Sequence, residues 1–302
     1  MRLGLYNNGD GVMLKVLSEN SYQATLAEID LGQIGATKKA SILWEDGVAR
    51  SSYVKVYQPE ERCRKLCNEA IGFILGNSLG LLQPTQAALM PIPEFIKSEF
   101  DLISDIYSEN QVWAWVTTEC GDSLKAQFRV KSNPLPHEKE QNNKFLYECL
   151  NFLAKKEGLP PIIAFDDYIA NNDRNIGNLV IDLDGSIGII DHGEVLGRID
   201  WLEYLTYLYD DEYFNNVLLK IVDDFSPSKF QIRGSSVLAS KEHTSAFKNS
   251  KDDLEYWLRV LLQLSKKDTL FQEKCLARLL KYLSVRSLEP SESFAQRIGL
   301  VA

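Results

Sequence analysis

Between Asn178 and Asp191 the chain reads LVIDLDGSIGII, two short β-branched runs joined by Asp184-Gly185. No other stretch constrains the fold as strongly. Val and Ile suit the pleated surface of a strand, and Asp-Gly suits the tight turn between two antiparallel strands. A hairpin brings its outer ends together, so Asn178 and Asp191 are expected to meet at its open end. An amide and a carboxylate held side by side offer oxygen ligands to a hard cation. Asp173, five residues before Asn178, brings a second carboxylate into the same neighbourhood.

The rest of the chain sets bounds on that local reading. At 302 residues it is long enough for a core of the size that tends to split in two. The net charge of −9 argues against direct nucleic-acid binding over the surface, while leaving room for a local basic patch. The five cysteines are too scattered for a disulfide framework, and Cys63 and Cys67 are read as one face of a helix rather than a metal pair. With no leader-like start and no long apolar run, a cytoplasmic location is expected.

Strand-like runs dominate the first third: 13–17, 40–44, 52–57, 87–91 and 111–117. A helix is expected from Pro59, with Glu60 and Glu61 at its positive end, an apolar face from Cys63 to Leu75, and Gly76 as its stop. Residues 131–143 read as a loop and 144–156 as a helix. Further helices are expected at 201–209, 215–222, 252–264 and 271–285, interrupted by a polar stretch over 226–250. A strand-rich beginning and a helix-rich remainder predict an α+β chain of two lobes, 1–118 and 119–302, with a cleft between them.

Phosphoryl transfer from ATP needs a divalent metal, a cation on the phosphates and a carboxylate near the attacking hydroxyl. The Asp173-to-Asn178 spacing is that of the Asp and Asn in a kinase catalytic loop, and Asp191-His192-Gly193 stands where such enzymes carry a metal-binding Asp-Phe-Gly. On these residues the chain resembles the HipA-like kinases and, more distantly, the phosphatidylinositol 3-/4-kinase group. Gly32 to Lys38 (GQIGATK) is similar to the family's phosphate-covering loop, Tyr53 to Tyr57 to its lysine strand, and Cys67 to Ala70 to its Asn-Glu helix. The resemblance spans roughly 29–201.

It implies a two-lobed protein-kinase-like fold that uses ATP and Mg2+. Lys55 would bind phosphate, Glu69 would hold Lys55, and Gly35, Ala36 and Thr37 would cover the nucleotide. Asp173 would be the catalytic carboxylate, with Asn178 and Asp191 on magnesium. A Ser or Thr hydroxyl of a protein is the implied acceptor, with a toxin-type role and a neutralising, antitoxin-like partner among the family's possibilities. The short connection from Asp191 to Trp201 leaves no room for a long activation loop, and Thr37 and Ser41 stand as alternative modification sites.

Two alternatives remain open: a phosphoinositide or other small-molecule kinase, and a nucleotide-binding pseudokinase acting as an interaction module. Residues 115–121 are the expected adenine-contacting hinge. His192 is read as a structural histidine. Arg174 is read equally as an ion-pair partner and as a positioner of Asp173. Asp166 and Asp167 are read as helix-end residues, Glu194 as structural, and Trp113 and Trp115 as packing groups.

Overall fold

The computed structural model describes residues 14–29, 35–100, 103, 106, 111–198, 200–210 and 213–300. Strands β1 (Leu14–Val16), β2 (Tyr22–Ile29), β3 (Gly35–Leu43), β4 (Ala49–Tyr57), β5 (Ala87–Pro91) and β6 (Trp113–Thr118) form one mixed sheet in the order β1-β5-β6-β4-β3-β2. Only β1 and β5 run parallel among its pairs. At β5 and β6 both faces are buried, which the residue alternation makes possible. Ala88, Met90, Ala114 and Val116 enter one apolar cluster, while Ala87, Leu89, Trp113 and Trp115 enter the other.

The second cluster is closed by helix α1 (Pro59–Ser78). Periodicity predicts a single apolar stripe on this helix, yet every residue from Arg62 to Gly76 is buried. The reason is that α1 lies between the sheet and α7 (His243–Leu262). Cys63 and Cys67 are free thiols on the helix, and the Cys63 Sγ reaches the Leu261 carbonyl of α7 at 3.5 Å. The helix also runs past Gly76. Its cap is Gly80 at φ +67°, with Leu81 N–H on the Gly76 carbonyl and Gly80 N–H on that of Asn77.

From Thr118 the chain crosses to a three-stranded antiparallel sheet, β7 (Asp122–Ser123), β8 (Leu179–Ile181) and β9 (Ile187–Ile189). The expected hairpin forms here, turning at Gly185 with φ +82°. Around it stand α2 (Leu124–Gln127), α3 (Lys139–Leu153), α4 (Leu159–Tyr168), α5 (Val217–Phe225), α6 (Lys229–Ser240), α7, α8 (Thr269–Ser287) and α9 (Ser291–Arg297). The chain is α+β, and no helix among the described residues is long and apolar enough to cross a membrane. The expected boundary near residue 118 marks the change of sheet, but α1 binds the two parts through α7.

Two helix assignments need correction. Residues 226–250 are not an interruption: they supply α6 and the start of α7. Two of their serines are buried in the helices because the hydroxyls donate back one turn, Ser236 Oγ to the Ile232 carbonyl at 3.0 Å and Ser250 Oγ to that of Ala246 at 2.7 Å. Conversely, 201–209 is not an α-helix; it holds only a short 3-10 turn at Leu205–Tyr207. Trp201, Leu202 and Leu208 are buried there one by one, and Arg278 pins the end of the segment through the Leu208 carbonyl and Asp210.

The packing of α1 is tight enough to test. A methyl group at Gly72 would collide with the His192 ring. Gly72→Ala is therefore expected to lower the unfolding free energy in urea by about 1–3 kcal/mol, the cost of overpacking a closed site. Gly234→Ala in α6, where an added Cβ meets nothing within 4 Å, is expected to raise it by about 0.5–1 kcal/mol.

Candidate active site

Three elements converge on one buried carboxylate. Lys55 on β4 places Nζ 3.0 Å from Glu69 Oε1 of α1, and the Tyr57 hydroxyl donates to the same oxygen at 2.6 Å. The other oxygen, Oε2, accepts the backbone N–H of His192 at 2.9 Å. Lys55 Nζ also lies 2.8 Å from Asp191 Oδ1, so one ammonium faces two carboxylates. Burial would lower the Lys55 pKa, but Asp191 and Glu69 outweigh it and hold it above its ordinary value. Burial pushes Asp191 up, and Lys55 overcomes that to keep the carboxylate ionised. The Asp191 side chain still shows 37 % of its surface, which faces the cleft.

The loop from Asp173 to Asn178 is held by a fully buried ion pair. Arg174 is 0 % and Asp166 1 % exposed, with Nη2 3.0 Å from Oδ1. Arg174 Nη1 also donates to the Ile190 carbonyl at 2.7 Å, and Nη2 meets His192 Nδ1 at 3.3 Å. One guanidinium thus ties α4, the Asp173 loop and the end of β9 together. Asn171 completes the frame by donating to Asp166 Oδ1 at 3.0 Å and accepting Asp173 N–H at 3.0 Å. Arg174 is therefore an ion-pair partner that also positions the loop, and Asp166, in the last turn of α4 as expected, is its anchor. His192, read as structural, is neutral: burial, with Arg174 adding to it, drives its pKa well below the ordinary value. Glu194 pairs with Lys65.

The hairpin ends meet as its geometry requires, with Ile190 N–H donating to the Asn178 carbonyl at 3.1 Å. Asn178 Nδ2 donates to the Asp173 carbonyl at 3.1 Å, which leaves Oδ1 to face other groups. Asp191 takes the left-handed conformation at φ +62°, a strained backbone that a short polar side chain tolerates best. That turn carries its carboxylate off the strand line towards Lys55.

A cavity of about 290 Å³ lies over these groups. Thr37, Lys55, Trp115, Cys120, Asn178 and Asp191 help to line it, and Glu69 closes its back. Strand register explains part of this set, since Thr37 and Trp115 both pair with Lys55. The expected hinge, 115–121, forms one wall, and burial pushes its Cys120 thiol up to about 12. Asp173 does not line the cavity; it stands one hydrogen bond away through Asn178.

The expected phosphate-covering loop needs correction. Its residues 32–34 lie outside the described ones, and Gly35, Ala36, Thr37 and Lys38 are already strand β3. Of these, Thr37 lines the cavity, whereas Ala36 packs into the apolar cluster on the other face of the sheet. Trp115 packs as expected, edge-on to Phe73 at 6.2 Å, and lines the cavity as well. Sequence reasoning quoted Tyr57 and Asn68 within its motifs but gave neither a role. Tyr57 lies two residues from Lys55 on the same strand face, a signal that was there to use. Asn68 donates to the Gly193 carbonyl at 3.0 Å and accepts from Trp201 Nε1 at 3.1 Å, contacts that no spacing announces.

Among the described residues no three His, Cys, Asp or Glu side chains converge into a metal cage. Asn178 Oδ1 and the Asp191 carboxylate instead offer one amide and one carboxylate oxygen beside an open cavity. That donor set fits magnesium, which keeps waters and takes its other ligands from substrate phosphates. Compared with protein-family models the chain matches none, and comparison with curated proteins finds no match.

Two stability predictions follow from the buried charges. Asp166→Ala strands the Arg174 guanidinium, and urea denaturation is expected to show a loss of about 3–5 kcal/mol. The second concerns His192 and His243, both of which burial depresses, His243 to about 3. Below the unfolded value near pH 6.5 the unfolded chain takes up protons that the folded chain refuses. Stability is thus complete above that pH and falls between pH 6.5 and 5 by about 1.4 kcal/mol per pH unit for each histidine. His243→Gln is expected to remove its share of that slope.

Proposed function

We infer that the chain is an ATP- and magnesium-dependent kinase with a two-lobed protein-kinase-like fold of the HipA-like kind. It would transfer the γ-phosphate to a hydroxyl, with Ser or Thr of a protein as the acceptor. The observation that carries this reading is the meeting of Lys55, Glu69, Asn178 and Asp191, from four separate segments, on one cavity beside the Asp173 loop. The protein acceptor rests on the resemblance, as do the toxin-type role and a neutralising partner.

Each residue has a part that its geometry supports. Lys55 presents a charge that stays protonated at any working pH, and Glu69 fixes where that charge sits. Tyr57 and the His192 amide fix Glu69 in turn. Asn178 and Asp191 would hold magnesium. Held there, the metal would supply neutralisation of the charge that develops on the phosphates. Trp115, Thr117 and Val180 give the cavity apolar walls for a planar base, and the backbone of 118–121 lies at its edge. Asp173, whose backbone carbonyl is joined to Asn178, would supply the carboxylate that orients the acceptor hydroxyl or takes its proton, a role that rests on the resemblance.

Transfer of labelled γ-phosphate in a cell lysate tests the reading. Asp173→Asn is expected to cut transfer by about 100-fold or more while magnesium-ATP still binds. Asp191→Asn and Lys55→Met are expected to weaken magnesium-ATP binding itself. Full activity in both aspartate variants would sink the assignment. Tight magnesium-ATP binding with no Asp173-dependent label in protein would turn it towards a small-molecule kinase or a pseudokinase.

A further inference from the structure

Next to the candidate catalytic loop lies a stretch whose charge opposes that of the whole molecule. The chain carries −9, yet from Ser123 to His137 it holds Lys125, Arg129 and Lys131 and no Asp or Glu. The stretch begins on the cavity wall, where Ser123 and Ala126 line it, and Gly177 of the loop lines it as well. Lys125 sits between these two walls. Its backbone N–H donates to the Ile176 carbonyl at 3.2 Å, and its Cδ lies 3.7 Å from where a Gly177 side chain would begin. Lys125 does not line the cavity, so it occupies the rim on the side of the Asp173 loop.

The stretch is rigid. Val130 N–H closes on the Lys125 carbonyl at 2.9 Å and Arg129 N–H on that of Ala126 at 3.0 Å, the paired bonds of a helix-ending Schellman turn. Phe128 packs on Phe152 of α3 with ring centroids 5.2 Å apart. The turn puts Arg129 at φ +57°, a position that glycine fills best. Arg129 is exposed there, and neither it nor Lys125 forms a salt bridge among the described residues; Lys125 Nζ meets only the Ser132 hydroxyl. Lys131 differs, being paired with Glu138.

On the kinase reading given above, we propose that Lys125 and Arg129 form the acceptor-docking rim of the site, and that they select a protein segment carrying acidic residues beside its Ser or Thr. Three features support one another. Two cations lack acidic partners in an acidic protein. The turn that presents them does not need to be ordered on binding. Lys125 adjoins the loop whose Asp173 would meet the acceptor hydroxyl, and Arg129 follows it on the same turn. An acidic segment lying along α2 would have its charges met by Lys125 and Arg129 while its hydroxyl enters beside Gly177.

A degenerate Ser/Thr peptide library with labelled magnesium-ATP tests this, with a fluorescent ATP analogue measuring nucleotide binding in parallel. Wild-type protein is expected to favour peptides with Asp or Glu near the hydroxyl, and to lose that preference as salt is raised. Lys125→Glu is expected to raise the KM for an acidic peptide by about two- to five-fold per charge lost, with kcat and nucleotide affinity held, and to shift the preference towards basic peptides. Arg129→Gly, which suits the turn, should fold at least as well and still lose acidic preference. If magnesium-ATP does not bind, the kinase reading fails and the rim fails with it. If it binds but no peptide is labelled, or acidic peptides gain nothing, or both variants keep the wild-type preference, the rim alone is overturned.

Discussion

The Glu69 carboxylate is the contact on which the rest of the structure depends. A charge buried in the middle of α1 costs several kcal/mol unless it is paired and hydrogen-bonded. Here both oxygens are used: Lys55 and Tyr57 reach one from β4, and the His192 amide reaches the other from the hairpin's end. Because those partners come from different parts of the chain, satisfying one carboxylate fixes a strand, a helix and a loop at once. The large sheet supplies the lysine, the small sheet supplies Asp191, and α1 joins them.

The same helix also accounts for the stiffness of the arrangement. On one side α1 lies against the sheet and on the other against α7, so it has no solvent face over most of its length. Asn68 holds the Gly193 and Val195 carbonyls, Lys65 pairs with Glu194, and Trp201 bonds back to Asn68. Gly72 lets the His192 ring lie flat against the helix where any side chain would block it. Moving α1 away from the metal-binding loop would break all of these contacts together and expose buried charge. The groups that would handle phosphate are therefore held ready in the resting fold.

How much of this was legible in the sequence depends on the range over which each signal acts. The hairpin and its ends were readable because strand alternation and Asp-Gly are local, whereas Lys55 and Glu69 were singled out by the resemblance, since strand and helix periodicity alone do not set them apart from surface residues. The serine-rich helices were not, since Ser236 and Ser250 look like loop residues until their hydroxyls find carbonyls one turn back. The 201–209 segment misled in the opposite sense: its apolar residues are buried singly and are pinned by Arg278 from a distant helix. The Asp166–Arg174 pair links α4 to the loop with no periodic signature, so only the fold reveals that it sets the position of Asp173.

The charge in the cavity bears on the proposed need for a cation beside a nucleotide. Lys55 is one positive charge set against the carboxylates of Glu69 and Asp191, and Arg174 is spent on Asp166. The cavity thus keeps an excess negative charge on the side where Asn178 Oδ1 and Asp191 face each other's neighbourhood. A polyphosphate alone would meet repulsion there, strengthened by the low dielectric of a largely enclosed site. On the kinase reading, a divalent ion held by Asn178 and Asp191 would offset that repulsion and lessen the reliance of Asp191 on Lys55. The lysine is then left with Glu69 as its fixed partner and the phosphates as its variable one, which is the division of labour that the three-way pairing of Glu69 prepares.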